Sequence, residues 1–399
     1  MKKSIAFLTG ISALLAGISM SAVDPEDKEL DHECTSWMIF SDFTGNNTHI
    51  LHKNRDAPSR NIVAMKSEPG SPRKWVGLGN PSHLCMGINA NGLAAVMNSG
   101  ELCIEPPNVE GKKGTPAMLR SILESSDTAA QAVKKLQNLL KNGDYSHGEK
   151  GSIFFFLDKK EGFICEITAK FCSVQRYDAG YAFRANIWHN PGMAQRSRNT
   201  AKRFMDSCGR ESAVWTFLNA VLDKKQKIEP ADILELSRLT KTPEGCPMER
   251  SVCFKNTNSA STLVLHREFP DVLSTAYVLI GHPRHTLYLP VPICVEKLDP
   301  YMAEPVCSAA AFKRFAKLGL EAPIPAEWIA FEKESMRKYD KASANALTLL
   351  RQGKKAQAVQ LLNKTAAEIW KKAYPLAVGA SSRKIRSNKA EKNQDFQLR

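Results

Sequence analysis

The sequence predicts a layered α+β fold over residues 34–300, followed by a helical extension over 301–380. Three observations carry that prediction. Short apolar runs bounded by Gly, Asn, Asp or Lys come in blocks, as strands do. Helical patterns lie between the blocks, without the strict strand–helix alternation of a parallel α/β sheet. A stretch of period 3.6 then follows the last strand-like run.

The elements run as follows. "CTSWMIF" and "THILHKN" flank Gly45-Asn46-Asn47 and read as a hairpin. "WVGLG", "CMGIN" and "GLAAVMN" come next, with Asn91-Gly92 as the tight turn between the last two. Residues 116–141 read as helix, with Asp127 capping a run that carries Ala130, Val133, Leu136 and Leu140. "GSIFFFLD", "GFICEIT", "FCSVQRY" and "YAFRAN" are four further strands. Helix returns at about 195–223 and 230–239, and strands at "SVCFKN", "STLVLH", "AYVLIG" and "HTLYLP". Residues 326–373 hold two long helical patterns separated by Gly353, with Val359, Leu362, Ala366, Ile369 and Ala373 on one face of the second. These helices read as an appendage packed on the main domain, or else as a partner-binding hairpin.

The first 22 residues read as a secretory leader: Lys2 and Lys3, an apolar core over 5–18, and small residues at the end. That core is shorter than the roughly 20 residues a bilayer span needs. No later stretch is apolar enough to span, so the expectation is an exported protein, periplasmic or secreted, without stable membrane insertion. "VDPEDKELDHE" (23–33) is acidic and polar and reads as a short propeptide. The final "SSRKIRSNKAEKNQDFQLR" (381–399) reads as a basic disordered tail. The chain carries 55 basic and 41 acidic residues, and loss of Lys2 and Lys3 with the leader leaves a net +12. That balance attracts anionic surfaces and carboxylate substrates. Nucleic acid is set aside, because no stretch interleaves aromatics with Lys and Arg.

Ten cysteines in an exported chain permit disulfides, whose pairing sequence does not reveal. Cys165 and Cys253 lie in strand-like runs and read as small buried residues. No Cys or His pair has zinc-site spacing, so no metal and no cofactor is expected.

Taken alone, Cys34 reads first as a disulfide half or a buried small residue. Its chemistry is more specific. A thiol attacks as thiolate, with a free pKa of about 8.5, and needs a base. The nearby His32 lies in the segment expected to be removed. An α-amino group, with a pKa of about 7.7–8.0, supplies that base if Cys34 becomes the N-terminus. The bond Glu33–Cys34 must then be cut, and the Cys34 thiol is placed to attack the Glu33 carbonyl itself.

"CTSW…ILHKNRD" followed by "GINANGLAAVMNSG" resembles the N-terminal-nucleophile cysteine amidohydrolases: choloylglycine hydrolases, penicillin V acylases and the isopenicillin N acyltransferase-like group. "YAFRANIWHNPG", "RSRNTAKRF" and "SVCFKNTNSASTLVLH…AYVLIGHPRHTLYLPV" extend the resemblance over 34–295. It implies a four-layer αββα sandwich. It also implies roles: Cys34 as nucleophile and, through its amine, base; Asp56 as the carboxylate orienting that amine; Asn98 and Asn186 beside the oxyanion; Arg203 in the polar network around the nucleophile. Lys53 stands where choloylglycine hydrolases carry an Arg, and is assigned to substrate binding. Lysine lacks the Arg fork, which counts against bile-salt-type substrates.

Each assignment has a plainer rival. Asp56 reads also as a turn residue before Pro58, and Asn98 as a turn former before Ser99-Gly100. Asn186 competes with Asn190 and with His189, which is placed behind the site. Arg203 competes with Arg198 and Lys202 on the same helix. The implied reaction is cleavage of a linear amide of a small molecule or short peptide through a thioester, in an N-acyl amino acid, a small peptide or a β-lactam side chain. Acyl transfer to an amine and a non-catalytic exported binding protein are the alternatives. Oligomeric state is left open.

Overall fold

The computed structural model describes residues 33–378 except 46, 109–113, 147, 243 and 245–249. The leader, the linker up to residue 32 and the tail at 381–399 lie outside the described residues. In chain order the strands are β1 (Cys34–Ile39), β2 (Thr48–Asp56), β3 (Val63–Lys66), β4 (Trp75–Asn80), β5 (His83–Asn89), β6 (Ala94–Leu102), β7 (Lys150–Leu157), β8 (Gly162–Ile167), β9 (Cys172–Tyr177), β10 (Tyr181–Arg184), β11 (Thr257–His266), β12 (Thr275–Leu279) and β13 (Tyr288–Pro292). They form two antiparallel sheets: one in the order β10-β1-β2-β11-β12-β13, the other running β3 to β9 in sequence order.

The two sheets face each other, and period-two alternation divides their side chains between two kinds of core. In β7, Ile153, Phe155 and Leu157 fill the space between the sheets. Phe154 and Phe156 point the other way, onto Met118, Leu119 and Ile122 of helix Thr115–Ser125 and Ala132 and Leu136 of helix Ala129–Lys141. In β1, Met38 points between the sheets, while Trp37 and Ile39 meet Val214 and Leu218 of helix Ala201–Lys225 and Ile233 of helix Pro230–Ser237. The layers are therefore helix, sheet, sheet, helix. Both faces of these strands are covered, which is why "GSIFFFLD" reads as an unbroken apolar run rather than an alternating one.

The helical extension shares this core. Trp328, Tyr339, Ala346, Leu362, Ala366, Ile369 and Trp370 of helices Ala326–Arg351 and Lys355–Val378 belong to the same cluster as β12 and β13. Trp370 Nε1–H donates to Pro290 O (2.8 Å). A buried, two-pronged ion pair joins Arg238 to Glu332 (2.7 Å on both prongs), and the Tyr288 N–H also donates to Glu332 (2.8 Å).

Two sequence expectations need correction. Residues 116–141 form two helices broken at 126–128, and the cap of the second is Thr128, whose hydroxyl accepts the Gln131 N–H (3.2 Å). Asp127 is drawn away by Arg73 (2.6 Å). "SVCFKN" is not a strand. Its backbone groups are satisfied by loop and side-chain partners: the Cys253 N–H donates to Leu239 O and the Phe254 N–H to the Thr257 hydroxyl, while Val252 O accepts from Asn54. The Asn91-Gly92 turn forms as expected, with Gly92 at φ +88°, the left-handed region that glycine enters freely. All nine described cysteines are free thiols, and Cys246 lies outside the described residues.

Candidate active site

The site is built where β1 begins. Cys34 pairs with Arg55 of β2 across the antiparallel ladder, and the ladder continues one residue upstream: the Asp56 N–H donates to the carbonyl oxygen of Glu33 (2.7 Å). The carbonyl that the thiol would attack is thus fixed and polarised. The Cys34 N–H donates to Asn186 Oδ1 (2.8 Å), just past the end of β10.

Strand parity sorts the rest. Lys53 lies between the sheets, wholly buried, with its Nζ beside the Cys34 thiol and donating to Asn98 Oδ1 of β6 (2.9 Å). Burial pushes the Lys53 pKa below its ordinary value, and the neighbouring Cys34 and Cys85 thiols only partly offset that. Ser36, two residues from Cys34, donates to the same Asn98 oxygen (2.7 Å). Asp56 is three residues from Lys53 and so lies on the opposite face. There its carboxylate accepts from the Thr257 hydroxyl (2.7 Å) and from Arg250 (3.1 Å). A register shift of β11 between Thr257 and Ser259 brings Thr257 to it. Burial raises the Asp56 pKa, with Arg250 and Arg210 opposing.

Several placements differ from the sequence expectation. Lys53, assigned to substrate, is turned onto Cys34 and Asn98. Asn98 donates both amide hydrogens to main-chain carbonyls, Arg184 O (3.1 Å) and Ala185 O (3.0 Å), and so clips one sheet to the other rather than aiming at an oxyanion. Asn186 gives its oxygen to the Cys34 N–H and an amide hydrogen to Ser99 O (2.7 Å). The Cys34 nitrogen is therefore held by Asn186, while Asp56 is held by Arg250 and Thr257. His189 sits on Glu211 (2.8 Å), and Asn190 donates to Ile164 O and Ser173 O, so both serve the scaffold. Arg198 donates to Cys103 O.

Arg203 does reach the site, as one of three arginines around a single carboxylate. It donates to Gly100 O (2.9 Å) and lies 3.7 Å from Glu33 Oε1. Arg210 donates to Glu33 Oε2 (2.7 Å), Cys34 O (2.5 Å) and Asn186 Oδ1 (3.0 Å). Arg250 donates to Glu33 Oε2 (3.2 Å) and Asp206 Oδ2 (2.6 Å). Burial works to raise the Glu33 pKa, yet Arg210, a hydrogen bond with Asp206, Arg250 and Arg203 bring it down to about 2. Asp206 is pushed up to about 6, first by burial and also by its hydrogen bond to Glu33.

Arg210, Asp206, Arg250 and the Glu33 side chain were missed from sequence. A signal existed for the first two. Arg203, Asp206 and Arg210 stand at i, i+3 and i+7, one face of a helix. Arg250 has no such signal, because it sits in an irregular segment. Among the described residues no group of three or more His, Cys, Asp or Glu side chains could hold a metal ion. Nor, among them, is any helix long and apolar enough to cross a membrane.

No family model matches the chain, and no curated protein does. Solved structures similar to it include a conjugated bile acid hydrolase variant from Clostridium perfringens (12% identity, 65% of this chain and 92% of that one, TM-score 0.42). A penicillin V acylase from Agrobacterium tumefaciens is similar at 14% identity, over 65% of this chain and 86% of that one, with a TM-score of 0.41. An N-acylethanolamine-hydrolyzing acid amidase ortholog from Caenorhabditis elegans is similar at 10% identity, over 60% of this chain and 94% of that one, with a TM-score of 0.38. What the site of this chain does is read from its own side chains.

Proposed function

We propose that the chain is the precursor of an exported N-terminal-cysteine amidohydrolase. It cuts its own Glu33–Cys34 bond and then hydrolyses linear amides of small molecules or short peptides. The observation that carries the reading is the pair of hydrogen bonds around the scissile peptide: its carbonyl oxygen on the Asp56 N–H and its nitrogen on Asn186.

In the precursor the Cys34 nitrogen is an amide and is no base. Lys53, buried beside the thiol with its pKa lowered by that burial, is the group that takes the thiol proton when it is unprotonated. Sγ adds to the Glu33 carbonyl through a five-membered ring, and the developing oxyanion keeps the Asp56 N–H. The C–N bond breaks as the Cys34 nitrogen receives the proton, leaving a thioester that water hydrolyses. The freed α-amine, on Asn186, then serves as base for external amides. The same sequence repeats: attack, departure of the substrate's amine with the proton, and hydrolysis of the thioester.

Hydrolysis is favoured over acyl transfer because an exported enzyme meets water rather than an acyl-CoA pool. Intact mass of the mature protein tests the reading. A start at Cys34, together with turnover in a screen of N-acyl amino acids and short peptides, supports it. A start at Val23 without turnover favours an exported binding protein.

A further inference from the structure

The three arginines around Glu33 outlast the residue they hold. Arg210 is anchored by Cys34 O, Thr35, Asn186 and Ser207, Arg203 by Gly100 O, and Arg250 by Asp56 and Asp206. None of these anchors is Glu33. Three guanidiniums meet three carboxylates here: Glu33, Asp206 and Asp56. Removing residue 33 leaves three against two. Arg203 Nε and Nη1 are buried without a hydrogen-bond partner among the described residues, so donors already wait at this place.

The chemistry of processing says which side of a substrate belongs there. When Sγ adds to the Glu33 carbonyl and the C–N bond breaks, the product is a thioester of Cys34 whose acyl group is Glu33. That species is an acyl-enzyme of the same kind that turnover would form. Its carboxylate lies three carbons from the thioester carbonyl, at Cα, Cβ and Cγ, and is held by the cradle. We propose that the mature enzyme takes amides whose acyl group has a glutaryl skeleton, as both α- and γ-linked glutamyl groups do, and that Arg203, Arg210 and Arg250 hold the distal carboxylate where Glu33 holds its own. This rests on the amidohydrolase reading and names its substrate class.

The test uses processed protein and two 4-nitroanilides, N-glutaryl and N-pentanoyl, which match in chain length and differ in the carboxylate. Charge-assisted bonds to a buried carboxylate predict a kcat/KM roughly 10- to 100-fold higher for glutaryl. Arg203→Met should lower that ratio several-fold, mainly through KM. Equal or better turnover of the pentanoyl amide overturns the proposal. A second readout needs no turnover: glutarate should slow alkylation of Cys34 by iodoacetamide far more than pentanoate does, and equal protection also overturns it. If Cys34 is free and glutarate protects it while no amide is cleaved, the cradle stands and the amidohydrolase reading falls.

Discussion

The Glu33 carbonyl oxygen and the Asp56 N–H lie 2.7 Å apart, joined by the last hydrogen bond of the β1–β2 ladder. The carbonyl of the bond proposed to be cut is thereby made part of a sheet. The donor is main chain, so its position is set by strand register rather than by a rotamer. The proposed self-cleavage would then need only a thiolate and a place for the proton.

Cys34→Ala removes the nucleophile. The purified chain should retain residue 33 in peptide linkage, while the wild type begins at Cys34. Activity on any amide substrate should fall by at least about 10³-fold. Intact mass and a turnover assay on the same samples check both statements.

Lys53→Met removes the group assigned to take the thiol proton. Processing should slow by roughly 10²-fold or more, the usual worth of a positioned base. Lys53 works unprotonated, so the wild-type rate rises with pH and levels off below the ordinary lysine value of 10.5. A time course of the 33–34 cut at several pH values reads the profile, and an unchanged rate in the variant would remove Lys53 from the step.

Arg250→Met leaves the Asp56 carboxylate buried without its charged partner. Breaking such a pair costs about 3–5 kcal/mol. The folded-state pKa of Asp56 lies above its unfolded value. The folded state therefore binds the extra proton, and the deficit should shrink as pH falls and Asp56 is neutralised. Thermal melts of variant and wild type at pH 7 and pH 4.5 measure the narrowing.

His52 is fully buried against Trp37, with Thr262 and Asn54 on its ring nitrogens. Burial holds its pKa at about 3, with the Lys53 charge adding to the shift and Asn54 opposing it. A depressed base binds fewer protons folded than unfolded, so its contribution is present above pH 6.5 and is lost as pH falls. By pH 5 the loss is about 2 kcal/mol. His52→Gln should flatten the fall in Tm between pH 7.5 and pH 5, and an unchanged slope would contradict the assignment.

Glu332→Ala strands Arg238 in the core and should cost about 3–5 kcal/mol. Deleting 301–399 goes further, because it strips Trp328, Ile369 and Trp370 from the core shared with β13. That truncation should lack a cooperative melt and lose activity with it. Calorimetry of the truncated chain decides between a removable appendage and part of the domain.

Much of the fold was legible because its strands are short, apolar and punctuated. "GLAAVMN" and "STLVLH" announce themselves by composition and by the turns around them. "SVCFKN" misled because its apolar residues serve a loop that wraps Asn54, and composition alone does not separate such a loop from a strand. Of the site, Cys34 and the residues of β2 were legible by spacing, but their partners were not. Parity already separates Lys53 from Asp56, yet only the packing shows that one face meets Asn98 and the other Arg250. The cradle was hidden for a different reason. It is assembled around Glu33, a residue read as part of the discarded linker.

The neighbouring strands β2 and β11 bring together Asp56 and Thr257, which stand 201 positions apart along the chain. A contact of that span closes late, after the intervening polypeptide has been made. A nascent chain that stops short of residue 250 holds Cys34, Lys53 and the 33–34 bond, but lacks Arg250 and Thr257, which hold the Asp56 carboxylate. On the processing proposed above, the order of synthesis would work as a clock: the amine would be uncapped only after β11 has been made and has closed onto β2.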